Sequence, residues 1–231
     1  MNTRRKKLPV VLEPEEAQKL LSIPNKRYIT GIRNKAILAL MLNMGLRVSE
    51  VVNLKPGDLN LTKRKLRVVN GKGGVDRDLI IPEYTAELLK EWKKARPKGS
   101  RYFFTTIKEK NGGQFASSKG SQLSARYIQF MVKRYAKKAG IDKDITPHTL
   151  RHTFATDFIR QGQNVMKLKK ILGHSDISTT QIYVTLANKD IEKAKEMFLK
   201  SYFISEKEGK TVDEMMTDFL HGKSEEETEE E

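Results

Sequence analysis

The segment ITPHTLRHTFAT, residues 145–156, sets two of the chain's four histidines, His148 and His152, around Arg151. Thr146 and Pro147 form an N-cap and first-turn pair, so the segment opens a helix. Three residues along a helix make nearly one turn, which puts His148 and Arg151 on one face. His152, one residue beyond Arg151, is read as turned about 100° away from it. Unpaired N–H groups and the dipole at a helix start favour an anion, and a planar guanidinium fork suits a phosphate. Alone, such a pair is more commonly an exposed polar face.

Three other segments change the weighing. GLRVSEVVNL puts Arg47 just after a glycine that ends a helix. NGKGGVD puts Lys72 at the tip of a glycine-rich turn, and LGHSDISTTQIYVT puts His174 after Gly173 with Tyr183 nine residues later. Each has a plain alternative: an arginine paired with Glu50, an exposed turn lysine, a capping histidine, a half-buried packing tyrosine. Together they supply two arginines, a lysine, two histidines and a tyrosine. The chain has no paired acidic cluster for two metal ions, no HExxH and no GxxxxGK[ST] loop. It has no cysteine, so thiolate metal sites and disulfides are excluded. What remains is phosphoryl transfer to a protein nucleophile, with no metal and no cofactor. The arginines would hold the non-bridging oxygens. One well-placed donor is worth about 3–4 kcal/mol, against a need of roughly 20 kcal/mol for a phosphodiester. Tyr183 would be the nucleophile. A phenol of pKa about 10 is ionised in about one molecule in a thousand at neutral pH. The arginines are expected to lower that value and a histidine to take the proton, while Lys72 protonates the leaving oxygen.

These residues need a scaffold, and the pattern predicts a mainly helical α+β fold with a small antiparallel β-hairpin. Helices are expected around Pro14–Ile23, up to Gly45, in a turn after Arg47, over PEYTAELLKEWKKAR, after Ser124 as far as Gly140, after Thr146, from Asn164 to Gly173, around Tyr183, and from about Asn188. Residues 66–69 and 78–81 read as hairpin strands flanking Lys72, and RYFFTT as a little further strand. Net charge is +15, unevenly distributed: from Glu206 to Glu231 eleven acids face three bases, a net of −8, which leaves +23 on residues 1–205. So strong an excess points to a polyanionic partner, most simply nucleic acid. The N-terminus has neither the length nor the composition of a signal peptide or membrane span, so a cytoplasmic location is expected. The tail SEEETEEE is a like-charge block expected to be disordered.

The four pieces GLRVSEVVNLKPGDL, VNGKGGVDRDLIIP, TPHTLRHTFAT and LGHSDISTTQIYV, in that order and at this spacing, resemble the tyrosine recombinase, or phage integrase, family, including its Xer-like members. The resemblance runs from about Leu8 to Phe198. It implies the family's catalytic-domain fold and site-specific recombination through a 3′-phosphotyrosyl link with a free 5′-hydroxyl. Strand exchange would pass through a Holliday junction in a tetramer on double-stranded DNA, the chain being a monomer without DNA. Carried over by position, Arg47, His148, Arg151 and His174 form the scissile-phosphate pocket, Lys72 is the general acid and Tyr183 the nucleophile. Glu50 would orient basic groups. Residues 1–13 resemble the linker into the catalytic domain, with Arg4, Arg5, Lys6 and Lys7 touching phosphates. Residues 14–204 would be the catalytic domain and 205–231 an acidic extension. The family's N-terminal DNA-clamping domain would then have no counterpart in these residues, and the sequence would be either a catalytic fragment or a naturally short enzyme. A catalytically silent DNA-binding protein and a type IB topoisomerase are the alternatives. The first is disfavoured because Tyr183 and both arginines are present, the second because LGHSDISTTQIY is more recombinase-like.

Overall fold

A computed structural model describes residues 8–69, 76–107, 120–174 and 180–189. Residues 1–184 form one compact unit and 185–231 a second. The site residues discussed below belong to the first. The described part is mainly helical, with one small antiparallel sheet, as the pattern predicted.

The centre of the fold is α2 (Ile29–Met44). The sequence suggested one apolar stripe on this helix. Instead Ala36 through Leu42 are all buried, and α1 (Pro14–Ser22), α3 (Val48–Asn53), α4 (Glu83–Ala95) and α6 (Pro147–Arg160) pack around it. A helix apolar on all sides belongs inside a core, not on its surface. α5 (Ala125–Lys138), capped by Ser124, covers α3 and α6, and α7 (Val165–Leu172), capped by Asn164, packs on α6. Residues 180–189 are helical and are called α8. Leu12 is fully buried and its N–H donates to Thr153 Oγ1 at 2.9 Å, so part of the segment read as a leader is built into the core.

The sheet is a three-stranded meander of β1 (Leu59–Asn60), β2 (Lys65–Val68) and β3 (Arg77–Ile80). The short β1 was not anticipated, because two residues carry no detectable alternation. The other strands sit one residue earlier than predicted. Leu66 pairs with Leu79, both inward, and Val68 pairs with Arg77. Arg77 therefore shares the inward face of β3 with Leu79. Lys72 and Arg4 to Lys7 lie outside the described residues, as do the C-terminal helix expected beyond residue 189 and the acidic tail.

Two helix ends matter most. α2 and α7 both stop at a glycine in the left-handed region, Gly45 at φ 63° and Gly173 at φ 65°. A Cβ at Gly45 would lie 2.4 Å from Phe154 Cδ1 and 3.0 Å from Leu172 Cδ2, so α6 and α7 close on this glycine. Gly140 has a similar φ of 68° with open space around it. Gly45→Ala should therefore cost about 2–5 kcal/mol, backbone strain plus overpacking, against about 1–2 kcal/mol for Gly140→Ala. Urea unfolding of the two variants reads the difference directly, and equal losses would show that the approach of Phe154 is unimportant.

Candidate active site

The last turn of α7 presents three consecutive backbone carbonyls, and each receives a different arginine. Arg77 Nε donates to Ile171 O at 2.5 Å, Arg151 Nη2 to Leu172 O at 2.7 Å and Arg47 Nη2 to Gly173 O at 3.5 Å. Carbonyls at a helix C-terminus lack intrahelical partners and carry the negative end of the dipole, so they suit cations. Arg151 Nη1 also donates to Gly45 O, at the end of α2, at 2.5 Å. Arg151 is thus clasped by the ends of two glycine-terminated helices and is only 4% exposed.

Glu50 is the balancing acid. Arg77 grips it with both terminal nitrogens, at 2.9 and 3.0 Å, and Arg47 approaches it at 3.2 Å. Glu50 Oε2 also accepts from the Arg47 N–H at 2.8 Å, capping the start of α3. Burial alone would raise this carboxyl's pKa. The Arg77 fork, the Arg47 N–H and nearby Arg151 outweigh burial and hold it below the ordinary carboxylate value. Burial first, then Arg47 and Arg77, lower Arg151 to about 10. The Arg77 side chain is 8% exposed and that of Arg47 34%. Arg47 is the guanidinium most open to an arriving ligand.

His174 follows the α7 cap. Its Nε2 lies 3.1 Å from Arg151 Nη2 and its Nδ1 lies 3.1 Å from Thr180 Oγ1. A guanidinium can only donate, so Nε2 accepts and the proton of the neutral ring sits on Nδ1, facing Thr180. Burial, then the fields of Arg151, Arg47 and Arg77, push this histidine down to about 4. The ring is neutral at pH 7. Among the described residues, three arginines and one glutamate beside neutral rings leave the cluster net positive, as an anion site requires.

Tyr183 is 3% exposed, and its hydroxyl lies 3.0 Å from His152 Nδ1, with ring centroids 5.7 Å apart. His152 was read as facing away from the site. That angle was measured from Arg151. Measured from His148, four residues back, the offset is only about 40°, so the two histidines share a face. The half-buried His152 touches the tyrosine, and His148 is exposed one turn earlier. Burial, then His148 and Arg151, lower His152 to about 4. The arginines do pull the phenol's pKa down, as expected, but the net shift is upward. Burial raises it, and the opposing pull of Arg151 and Arg47 does not compensate.

The structure thus brings together Arg47, Arg151, His174 and Tyr183 and adds Arg77, Glu50, His152 and Thr180. Arg77 was not singled out in the sequence, where its one signal is an alternation that puts it in register with inward Leu79. Thr180 was legible as one turn before Tyr183. Among the described residues, no three His, Cys, Asp or Glu side chains lie close enough together to hold a metal ion. No helix among them is long and apolar enough to cross a membrane.

Removing the negative charge at Glu50 should leave Arg77 buried without compensation. Glu50→Gln is expected to cost about 3–5 kcal/mol in urea unfolding. A loss under 1 kcal/mol would mean the carbonyls of α7 suffice. The histidines give a pH signature. An unfolded chain protonates them near about 6.5, whereas the folded chain resists until about 4. The unfolded state binds more protons in that window, so stability falls as pH drops through it. Glu50 extends the loss, its contribution being complete above about 4.3 and disappearing as pH falls through its lowered folded value. The urea midpoint should decline steadily below about pH 6.5, and less steeply when both histidines are replaced by asparagine.

Residues 10–190 match the phage integrase family. The tyrosine recombinase XerA of Thermococcus kodakarensis is 36% identical over 191 residues, covering 82% of this chain and 62% of that protein. The tyrosine recombinase XerD of Staphylococcus saprophyticus is 38% identical over 189 residues, covering 81% and 62%. The crystal structure of XerA recombinase superposes with a TM-score of 0.69 at 30% identity, over 84% of this chain and 66% of that one. XerH site-specific recombinase, bound to a palindromic difH substrate in a post-cleavage complex, gives 0.67 at 27% identity, over 82% and 53%. The chain spans about three fifths of the length of its sequence relatives. With that family match over most of its length, and a fold shared with XerA recombinase, the chain belongs to the phage integrase family.

Proposed function

We propose that the chain carries the catalytic machinery of a site-specific DNA recombinase, which cuts and rejoins double-stranded DNA through a 3′-phosphotyrosyl intermediate. The observation that carries this reading is the convergence of Arg47, Arg77 and Arg151 on one helix end, with Tyr183 and two histidines beside it. A buried phenol next to a net positive pocket needs an anionic substrate to explain it. A phosphodiester fits the fork of Arg47, and a relative has been captured with its DNA in a post-cleavage complex.

Arg47 and Arg151 hold the non-bridging oxygens and offset the charge that builds in the transition state. His174 can exchange its Arg151 contact for a phosphate oxygen, and His148 lines the mouth of the pocket. The Tyr183 oxygen attacks phosphorus, and the bond to the 5′ oxygen breaks. Lys72, which falls between β2 and β3 in the sequence, gives that oxygen its proton. The phosphotyrosyl ester conserves the bond energy, so a 5′-hydroxyl from another strand reverses the step without ATP. In this reading residues 14–204 form the catalytic domain and Arg4 to Lys7 add phosphate contacts. Four copies exchange strands in pairs through a Holliday junction, and the enzyme works in the cytoplasm as a monomer until DNA assembles it.

Tyr183→Phe should abolish covalent attachment to a nicked suicide duplex and leave DNA affinity within about twofold. An adduct that persists in this variant would remove Tyr183 as nucleophile. Attachment by the wild-type chain should be unaffected by EDTA, and a requirement for a divalent cation would overturn the metal-free scheme. A two-site plasmid assay separates recombination from simple relaxation of supercoils.

A further inference from the structure

We infer that His152, not His148, accepts the proton of the Tyr183 hydroxyl as the tyrosine attacks. This rests on the recombinase reading above and assigns a catalytic contact within it.

The argument begins with the donor inventory. A phenol carries one O–H and a neutral imidazole one bare nitrogen. The hydroxyl of Tyr183 and Nδ1 of His152 are 3.0 Å apart, within hydrogen-bond reach. With Tyr183 protonated and His152 neutral, the phenol as donor and Nδ1 as acceptor require the ring's own proton on Nε2. That is the arrangement a proton acceptor must have before reaction. His174 is committed in the other tautomer, with Nε2 occupied by Arg151 and Nδ1 facing Thr180. His148 is exposed, one turn earlier on the same face of α6. The fold therefore places one imidazole lone pair against the nucleophile, and it is that of His152.

The step balances. The O–H bond of Tyr183 breaks and its proton goes to His152 Nδ1, giving an imidazolium. The oxygen pair forms the bond to phosphorus, the bond to the 5′ oxygen breaks with its electrons, and Lys72 protonates the leaving oxygen. Burial, then His148 and Arg151, hold the ring's basicity down; an entering phosphodiester brings negative charge that offsets the Arg151 part and raises that basicity when it is needed. In rejoining, the imidazolium returns the proton to Tyr183.

A pool of nicked duplexes of random sequence, incubated with the full-length wild-type chain, yields a cleavable duplex by sequencing the trapped adduct. Single-turnover cleavage of that duplex should fall at least about 100-fold in both His152→Asn and His152→Phe, with DNA affinity unchanged. A duplex with sulfur in place of the 5′ bridging oxygen needs no leaving-group proton. It should rescue Lys72→Ala and leave the His152 variants slow. Wild-type rates in either His152 variant, or rescue by the sulfur substrate, would overturn the assignment. A wild-type chain that forms no adduct in the whole pool would count against the recombinase reading itself. A readout without DNA covers loss of folding in the variants. Nitrogen NMR of His152 in the wild-type chain should show Nδ1 unprotonated at pH 7, with its resonance displaced in Tyr183→Phe. A protonated Nδ1, or an unmoved resonance, would refute the contact.

Discussion

Everything in the pocket hangs on the last turn of α7. Its three orphan carbonyls, on Ile171, Leu172 and Gly173, draw arginines from β3, α6 and the start of α3. Those arginines come from positions 77, 151 and 47, so the turn ties the chain's first half to its second. The attraction works because a helix must leave these carbonyls unpaired, and a guanidinium has five donors to offer. Gly173 ends the helix without a side chain in the way, and Gly45 does the same at α2, where its carbonyl takes the other arm of Arg151. Two helix-ending glycines thus act as functional residues without touching a ligand.

The electrostatics follow from that choice of partners. Had each buried arginine been paired with a carboxylate, the pocket would be neutral and of little use to a phosphate. Backbone carbonyls satisfy the hydrogen bonds of a guanidinium and supply only partial charge. Among the described residues of the cluster Glu50 carries the full negative charge, and Arg77 takes most of it with a bidentate grip. Arg77 therefore stabilises the cluster, whereas Arg47, more exposed and only partly engaged, is left to meet substrate. The depressed histidines owe most to burial, and the same field, joined by His148 at His152, adds to it: the rings stay neutral, and neutral rings have a lone pair to accept with.

Much of this was legible in the residues. Thr146, Asn164 and Ser124 cap the helices they were expected to cap, and Gly45 and Gly173 end theirs. Such signals are local, and a few adjacent residues determine them. Arg47, Arg151, His174 and Tyr183 were recognisable because their neighbours form four ordered motifs. The central placement of α2 was missed because an all-apolar helix and an amphipathic one share the same first few spacings. Arg77 was missed because its partners, Glu50 and Ile171, lie 27 and 94 residues away and only the folded chain adjoins them. His152 was misread for a simpler reason, the choice of Arg151 rather than His148 as the reference on the helical wheel.

One turn of α8 joins the two histidine contacts. Thr180 meets His174 and Tyr183 meets His152, three residues apart and so on one side of the helix. The two histidines reach that turn from different directions, one from beyond the α7 cap and one from α6. A shift of the turn that brought the phenol toward phosphorus would also disturb the Thr180 contact that orients His174, and His174 in turn contacts Arg151. The proposed nucleophile and the arginine cluster are therefore mechanically linked through Thr180. The arginines alone would form an equally good anion site with the tyrosine placed anywhere nearby. What distinguishes this arrangement is that the proposed nucleophile and a proposed phosphate ligand lean on the same helical turn.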